Sequence, residues 1–212
     1  MSNAHVDLTK LQRLIPPPSS PAEIGTLQLR ASVEKSLGLG LPSDLCDFAM
    51  VYGSGAFQAP NWTGLLYIFN PFSPTYLNRI SDRARMCVQI KDAEGDEYVP
   101  FGIYPERPGL LACGYGEGGR DIYWLTKGEP DEWPILIWPP ERKFISVTDS
   151  LSSFLLRLFL GKINCWGSDK DATWFKKQPV FTFAPSIPSI PVQTKNAEGK
   201  SKGTNRKRGK KK

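Results

Sequence analysis

Apolar and polar positions alternate with two different periods along this chain, and the change of period divides it. After a stretch closed by Pro16, Pro17, Pro18, Ser19, Ser20 and Pro21, Leu29, Val33, Ser36 and Leu37 recur at helical spacing. They predict a helix from about Ala22 to Leu37, stopped by Gly38. Leu45, Phe48, Ala49 and Tyr52 share one face of a second helix from Ser43 to about Tyr52, which Ser43 can cap and Gly53 can leave. Trp62 to Phe69 reads as a buried strand. A third helix, about Pro74 to Asp92, carries Leu77, Ile80, Ala84 and Cys87 or Val88 on one stripe. From Tyr98 the period falls to two, with strands at Tyr98–Ile103, Gly109–Cys113, Asp121–Thr126, Trp133–Trp138 and Lys143–Val147, separated by Gly, Pro and Asp clusters. A final helix begins near Asp149 and buries Leu151, Phe154, Leu155, Leu158 and Phe159. This order predicts an α+β fold, a mostly antiparallel meander backed by helices.

The flanks carry different signals. Proline lacks the amide proton a helix needs and restricts the residue before it, so residues 1–21 read as a lead-in linker without a helix. The folded domain is expected over 22–164, a partly ordered extension over 165–184, and a disordered basic tail over 185–212 that has too few apolar residues to pack.

Charge sharpens this division. The net charge of the 212 residues is +6. From Pro185 onward nine basic residues face Glu198 alone, a net of +8, while the other 184 residues hold 18 basic and 20 acidic groups, a net of −2. The chain is a mildly acidic domain with a basic appendage. Within the tail, Arg206, Lys207, Arg208, Lys210, Lys211 and Lys212 form a run suited to phosphate contact with steep salt dependence. No aromatic interleaves them, which argues against base stacking. A merely solubilising tail is the alternative.

Several chemistries lack their parts. Gly114-Tyr115-Gly116-Glu117-Gly118-Gly119 spells a G-x-G-x-x-G pattern, but a strand follows it where a dinucleotide site needs a helix N-terminus. The expectation is a Gly-rich hairpin turn. Only one histidine, His5, is present, so a Ser–His or Cys–His pair has no base within the domain. Cys46, Cys87, Cys113 and Cys165 lie 41, 26 and 52 positions apart, which is not metal-ligand spacing. They read as reduced buried thiols of a cytoplasmic protein. No catalytic residue, metal or cofactor is assigned. No signal pattern or membrane-length apolar run is seen.

Two long segments and a closing helix carry a family resemblance. Leu37–Phe57 (LGLGLPSDLCDFAMVYGSGAF) and Pro105–Trp138 (PERPGLLACGYGEGGRDIYWLTKGEPDEWPILIW), followed by Thr148–Ile163 (TDSLSSFLLRLFLGKI), resemble in order the signatures of the SUKH superfamily. The resemblance spans about residues 22–164. That family includes a yeast regulator of cell-wall synthesis and many bacterial immunity proteins that neutralise secreted toxins, often nucleases. It implies a protein-binding module rather than an enzyme, and it says nothing of the basic tail.

A docking surface is therefore the expected functional feature. Between Asp92 and Glu132 ten acidic residues face Arg107, Arg120 and Lys127, a net of −7. Their turns can share one rim of the sheet, giving an acidic surface for a basic partner such as a toxin domain. Solvated turns are the alternative reading. The residues singled out are Glu117, Arg120, Asp121, Glu129, Asp131, Glu132 and Trp133. Trp124 and Trp138 are expected in the core, whereas Trp133, beside Asp131 and Glu132, is expected at the interface. The competing function is a nucleic-acid-associated or regulatory scaffold whose tail supplies the affinity.

Overall fold

The period-two segments close into one sheet. In the computed structural model, which describes residues 3–58, 65–116, 119–139, 143–163 and 179–182, its strands are β1 (Ala56–Gln58), β2 (Leu65–Ile68), β3 (Gly102–Ile103), β4 (Gly109–Gly116), β5 (Arg120–Leu125), β6 (Ile135–Trp138), β7 (Ile145–Val147) and β8 (Val180–Thr182). The spatial order is β7-β6-β5-β4-β2-β1-β8. β3 pairs in parallel with the first two residues of β4, and β2 pairs antiparallel with the last three. The remaining pairings are antiparallel, and β4 to β7 form the expected meander. The helices are α1 (Asn3–Leu14), α2 (Leu27–Leu37), α3 (Ser43–Tyr52), α4 (Tyr76–Glu94) and α5 (Leu151–Phe159). The architecture is α+β, as the pattern implies.

Alternation along the strands sends side chains to two faces. Tyr67, Tyr115, Asp121 and Trp138 are successive cross-strand partners and lie in one row under α4. Phe57 and its partner Leu66 face the other way, where Phe48 of α3 and Phe159 of α5 pack at ring distances of 6.1 and 4.7 Å from Phe57.

Helix boundaries follow from local caps and remote contacts. α2 starts at Leu27, later than the apolar spacing suggests. Thr26 Oγ1 accepts from Leu29 N at 3.2 Å, while the chain before it is committed elsewhere, with Ala22 O receiving Ser54 N at 2.9 Å. Gly38 ends α2 in the left-handed region at φ 65°, its N–H reaching back to Glu34 O and Lys35 O. Ser43 is the first helical residue of α3 and not its cap, because Pro42 precedes it as N-cap.

The lead-in differs from its expectation. The helix α1 occupies Asn3–Leu14, and Leu8, Leu11 and Ile15 are buried on one face of this segment. Tyr52 Oη donates to Ile15 O at 2.7 Å, and Ser153 Oγ donates to Asp7 at 2.7 Å, tying the segment to α3 and α5. Pro16 to Pro18 end this helix; they do not prevent one upstream. The tail 185–212 and most of 165–184 lie outside the described residues.

The glycine pattern has a packing cause at its first position. The ladder between β4 and β5 slips between Ala112 and Gly114, and a Cβ on Gly114 would overlap Tyr67 O of β2. The strand β5 then follows the turn, so no helix N-terminus faces these glycines.

Candidate binding surfaces

The acidic turns predicted to share one rim separate into two groups. Successive connections of a meander lie at alternate ends of the sheet, so the β4–β5 turn and the β5–β6 connection are split by the length of β5. Five residue steps at about 3.4 Å put them roughly 17 Å apart. Arg120 and Asp121 stand at one end. Glu129, Asp131, Glu132 and Trp133 stand at the other. Glu117 lies outside the described residues, as does Trp62.

At the β5–β6 end, the chain makes a single 3-10 turn, Pro130–Glu132, before entering β6. Asp131 Oδ1 accepts from Ser43 N at 2.6 Å and Ser43 Oγ at 2.9 Å, fastening the turn to the start of α3. A carboxylate there also meets the positive end of the helix dipole. Trp133 corrects its expectation: it is 7% exposed, and its indole Nε1 donates to Gly128 O at 3.1 Å. The ring closes its own loop, which covers most of its surface. Thr126 completes the clasp by exchanging side-chain and backbone hydrogen bonds with Gly109. Glu129 and Glu132 remain exposed on this loop, with Asp47 and Met50 exposed on α3. Asp47 and Asp131 both approach Cys46, whose thiol is pushed up to about 11, chiefly by burial.

At the other end Asp121 is 5% exposed, its carboxylate held inside the fold. Its Oδ1 accepts from Arg83 Nη1 of α4 at 2.7 Å, and its Oδ2 accepts from Tyr123 Oη at 3.2 Å. Cys87 Sγ donates in turn to Tyr123 Oη at 3.1 Å. Burial raises the Asp121 carboxyl above its ordinary range, and the Arg83 charge opposes that rise. Arg83 also sits 5.1 Å over the Tyr115 ring, and Arg79 sits 4.9 Å over Tyr67. Two α4 cations thus cover the aromatic row. Sequence reasoning passed over both arginines, although their i, i+4 spacing beside the apolar stripe was the available signal.

Beyond Arg83 a cavity of about 620 Å³ opens between α4 and the β5–β6 edge, with Met86, Ile90, Tyr98, Asp121 and Trp138 among its walls. Trp138 and Trp124 are core residues, 5% and 2% exposed. The Trp138 indole nitrogen has no hydrogen-bond partner among the described residues. Exposed Glu94 at the end of α4 also borders this cavity, so it belongs to the Asp121 end.

Arg206, Lys207, Arg208, Lys210, Lys211 and Lys212 lie outside the described residues. No helix among the described residues is long and apolar enough to cross a membrane. No curated protein and no solved structure gives a significant match. A family model described as SMI1-KNR4 cell-wall matches residues 28–155, from the first turn of α2 into α5. The match covers the sheet from β1 to β7 and more than half of the chain, and the chain therefore belongs to this SUKH family.

Proposed function

We propose that this chain is a non-enzymatic protein-binding module whose acidic loop, Glu129 to Glu132, engages a basic partner in the cytoplasm. In the manner of an immunity protein, it occludes a toxin domain, a nuclease being the expected kind, without turnover. The observation that carries this reading is the contrast within the loop. Asp131, Trp133 and Thr126 are tied to α3, Gly128 and Gly109. Glu129 and Glu132 face solvent on a backbone those ties hold still. Carboxylates fixed before the encounter lose little freedom on binding, and their field speeds association with a cationic surface. Asp131 and Trp133 then act by positioning. Buried thiols at Cys46, Cys87 and Cys113 suit a reducing compartment.

The test is affinity capture from host lysate with nuclease added, using the full chain, a chain ending at Ala184, and a Glu129→Lys/Glu132→Lys variant. One basic protein held by the first two and released by the third supports the proposal. With that protein purified, the charge reversal should slow association about tenfold at low ionic strength. An unchanged rate would refute the acidic-loop reading.

The +8 tail supports a second reading, a nucleic-acid-associated or regulatory scaffold. It predicts recovery that depends on residues 185–212 and vanishes with nuclease.

A further inference from the structure

The β1 edge of the sheet is covered by a strand from outside the family match. β8 lies beyond residue 155 and pairs antiparallel with β1, Phe57 opposite Phe181 and Gln58 opposite Val180. Its central ring fills a socket: Phe181 lies 4.9 Å from Phe57, 5.0 Å from Tyr52 and 6.4 Å from Phe48, edge-on to each. The socket exists because residue 55 is glycine, since a Cβ there would overlap the Phe181 ring and crowd Thr182 O. Tyr52 and Phe57 are fully buried and Phe48 nearly so, whereas Phe181 is half-buried and Val180 is exposed. The receiving side is thus built into the core, and among the described residues the inserted side is three residues held by a ladder and one ring. Among the described residues, the cost of ordering three residues is set against one partly buried ring and a three-residue ladder, contributions of similar size.

We propose that the outer edge of β1, with the Phe48–Tyr52–Phe57 socket, is a docking site for an extended segment of a partner protein carrying an aromatic ring at its central position. β8 fills this site in cis as a displaceable latch. Backbone pairing supplies the register and the socket reads one side chain, which is recognition by strand addition to a sheet edge. The site stands at the far side of the sheet from β7 and does not depend on the acidic loop.

The probe is a labelled peptide of residues 178–182, Gln-Pro-Val-Phe-Thr, titrated by fluorescence anisotropy into the full-length chain. In the wild type, β8 competes and binding is weak. Phe181→Ala in the protein removes the anchor of the latch, and peptide affinity should rise at least tenfold. The same peptide with alanine in place of its phenylalanine should lose that gain. Gly55→Ala closes the socket, so peptide binding should disappear while circular dichroism shows the sheet retained. Faster amide exchange at β1 in the Phe181→Ala chain would show independently that the latch has opened. If the Phe181→Ala protein is folded and binds neither peptide, or binds both equally, the proposal is overturned. A Glu129→Lys/Glu132→Lys variant should bind the peptide as the wild type does, which separates this site from the acidic loop.

Discussion

Replacing Asp44 by alanine should destabilise the domain by about 3 kcal/mol, because that carboxylate joins two helices. Asp44, near the start of α3, is 6% exposed, and its oxygens accept from Ser152 N at 2.6 Å and Ser152 Oγ at 2.5 Å. Ser152 is fully buried in the first turn of α5, where backbone N–H groups have no partner inside the helix. A hydrogen bond to a charged group contributes about 1.5–3 kcal/mol, and a buried donor left unpaired costs about 1–3 kcal/mol. Alanine loses two such bonds and strands two donors. It also frees the fold of a buried charge, which offsets part of the loss. Asp44→Asn keeps an acceptor for Ser152 N, and the serine hydroxyl can turn to accept, so its cost should be near 1 kcal/mol.

Urea denaturation measures the difference. With a slope of about 2 kcal/mol/M, Asp44→Ala moves the midpoint down by about 1.5 M and Asp44→Asn by about 0.5 M. In a double-mutant cycle, Asp44→Ala with Ser152→Ala should cost less than the two single changes added, since each removes the other's partner. Acid titration supplies the sign. Burial is the largest influence on Asp44 and raises its carboxyl above the ordinary range, although the serine bonds pull it down. The folded state therefore takes up the proton before the unfolded chain does, and the cost of burying the charge is relieved as pH falls through the folded value. The stability of the wild type relative to Asp44→Asn should grow from neutral pH toward the ordinary aspartate range. Equal midpoints for the alanine and asparagine variants, or a gap that shrinks in acid, would refute this account of the helix junction.

Arg83→Met leaves Asp121 buried without its cation and should cost about 2–4 kcal/mol at pH 7. Part of that loss returns at pH 5, because the carboxyl is already raised by burial and loses the charge that held it down, so thermal melts showing equal losses at both pH values would exclude the mechanism. Asp131→Ala removes the acceptor of Ser43 N and Oγ at the start of α3 and should cost about 1 kcal/mol, a fall in Tm of about 2–4 °C by calorimetry. Burial pushes the Cys46 and Cys87 thiols up to about 11 and the Cys113 thiol well up. In a Cys165→Ser protein, a thiol reagent at pH 8 should titrate no cysteine rapidly in buffer and three in urea, and fast reaction of any one in buffer would show that its site opens.

The elements legible in the sequence are those whose signals are local. The span of α3 could be read from an apolar face and Gly53. The meander followed from turn residues between period-two segments, and Trp124 from the apolar residues flanking it. Features set by distant partners were not legible. Asp131 meets Ser43 across 88 positions and Asp121 meets Arg83 across 38, and neither spacing has a periodicity to betray it. The strands β1 and β8 have three residues each, too few to show alternation, and they exist through each other and β2. α1 was hidden by the prolines that end it, although Leu8, Leu11 and Ile15 carry helical spacing of their own.

Charge counted along a chain says little about charge on a surface when the chain is a meander. The window from Asp92 to Glu132 holds a net of −7, yet it crosses β3, β4 and β5 and so delivers its carboxylates to both ends of the sheet. Some of that charge is then spent internally: Asp121 on Arg83, Asp131 on the α3 N-terminus, and Asp96 on Lys91 at 3.1 Å. Of the acidic residues singled out at the β5–β6 connection, Glu129 and Glu132 are the exposed pair whose carboxylates make no hydrogen bond or ion pair among the described residues, the bond between them being backbone, Glu132 N to Glu129 O at 2.9 Å. Their neighbours' ties hold them in place. A partner that reads this surface therefore meets two carboxylates on a fixed loop and not a diffuse acidic rim. Neutralising Glu129 and Glu132 should accordingly change its association more than neutralising Asp92, Glu94 and Glu97 together, although the second change removes more charge.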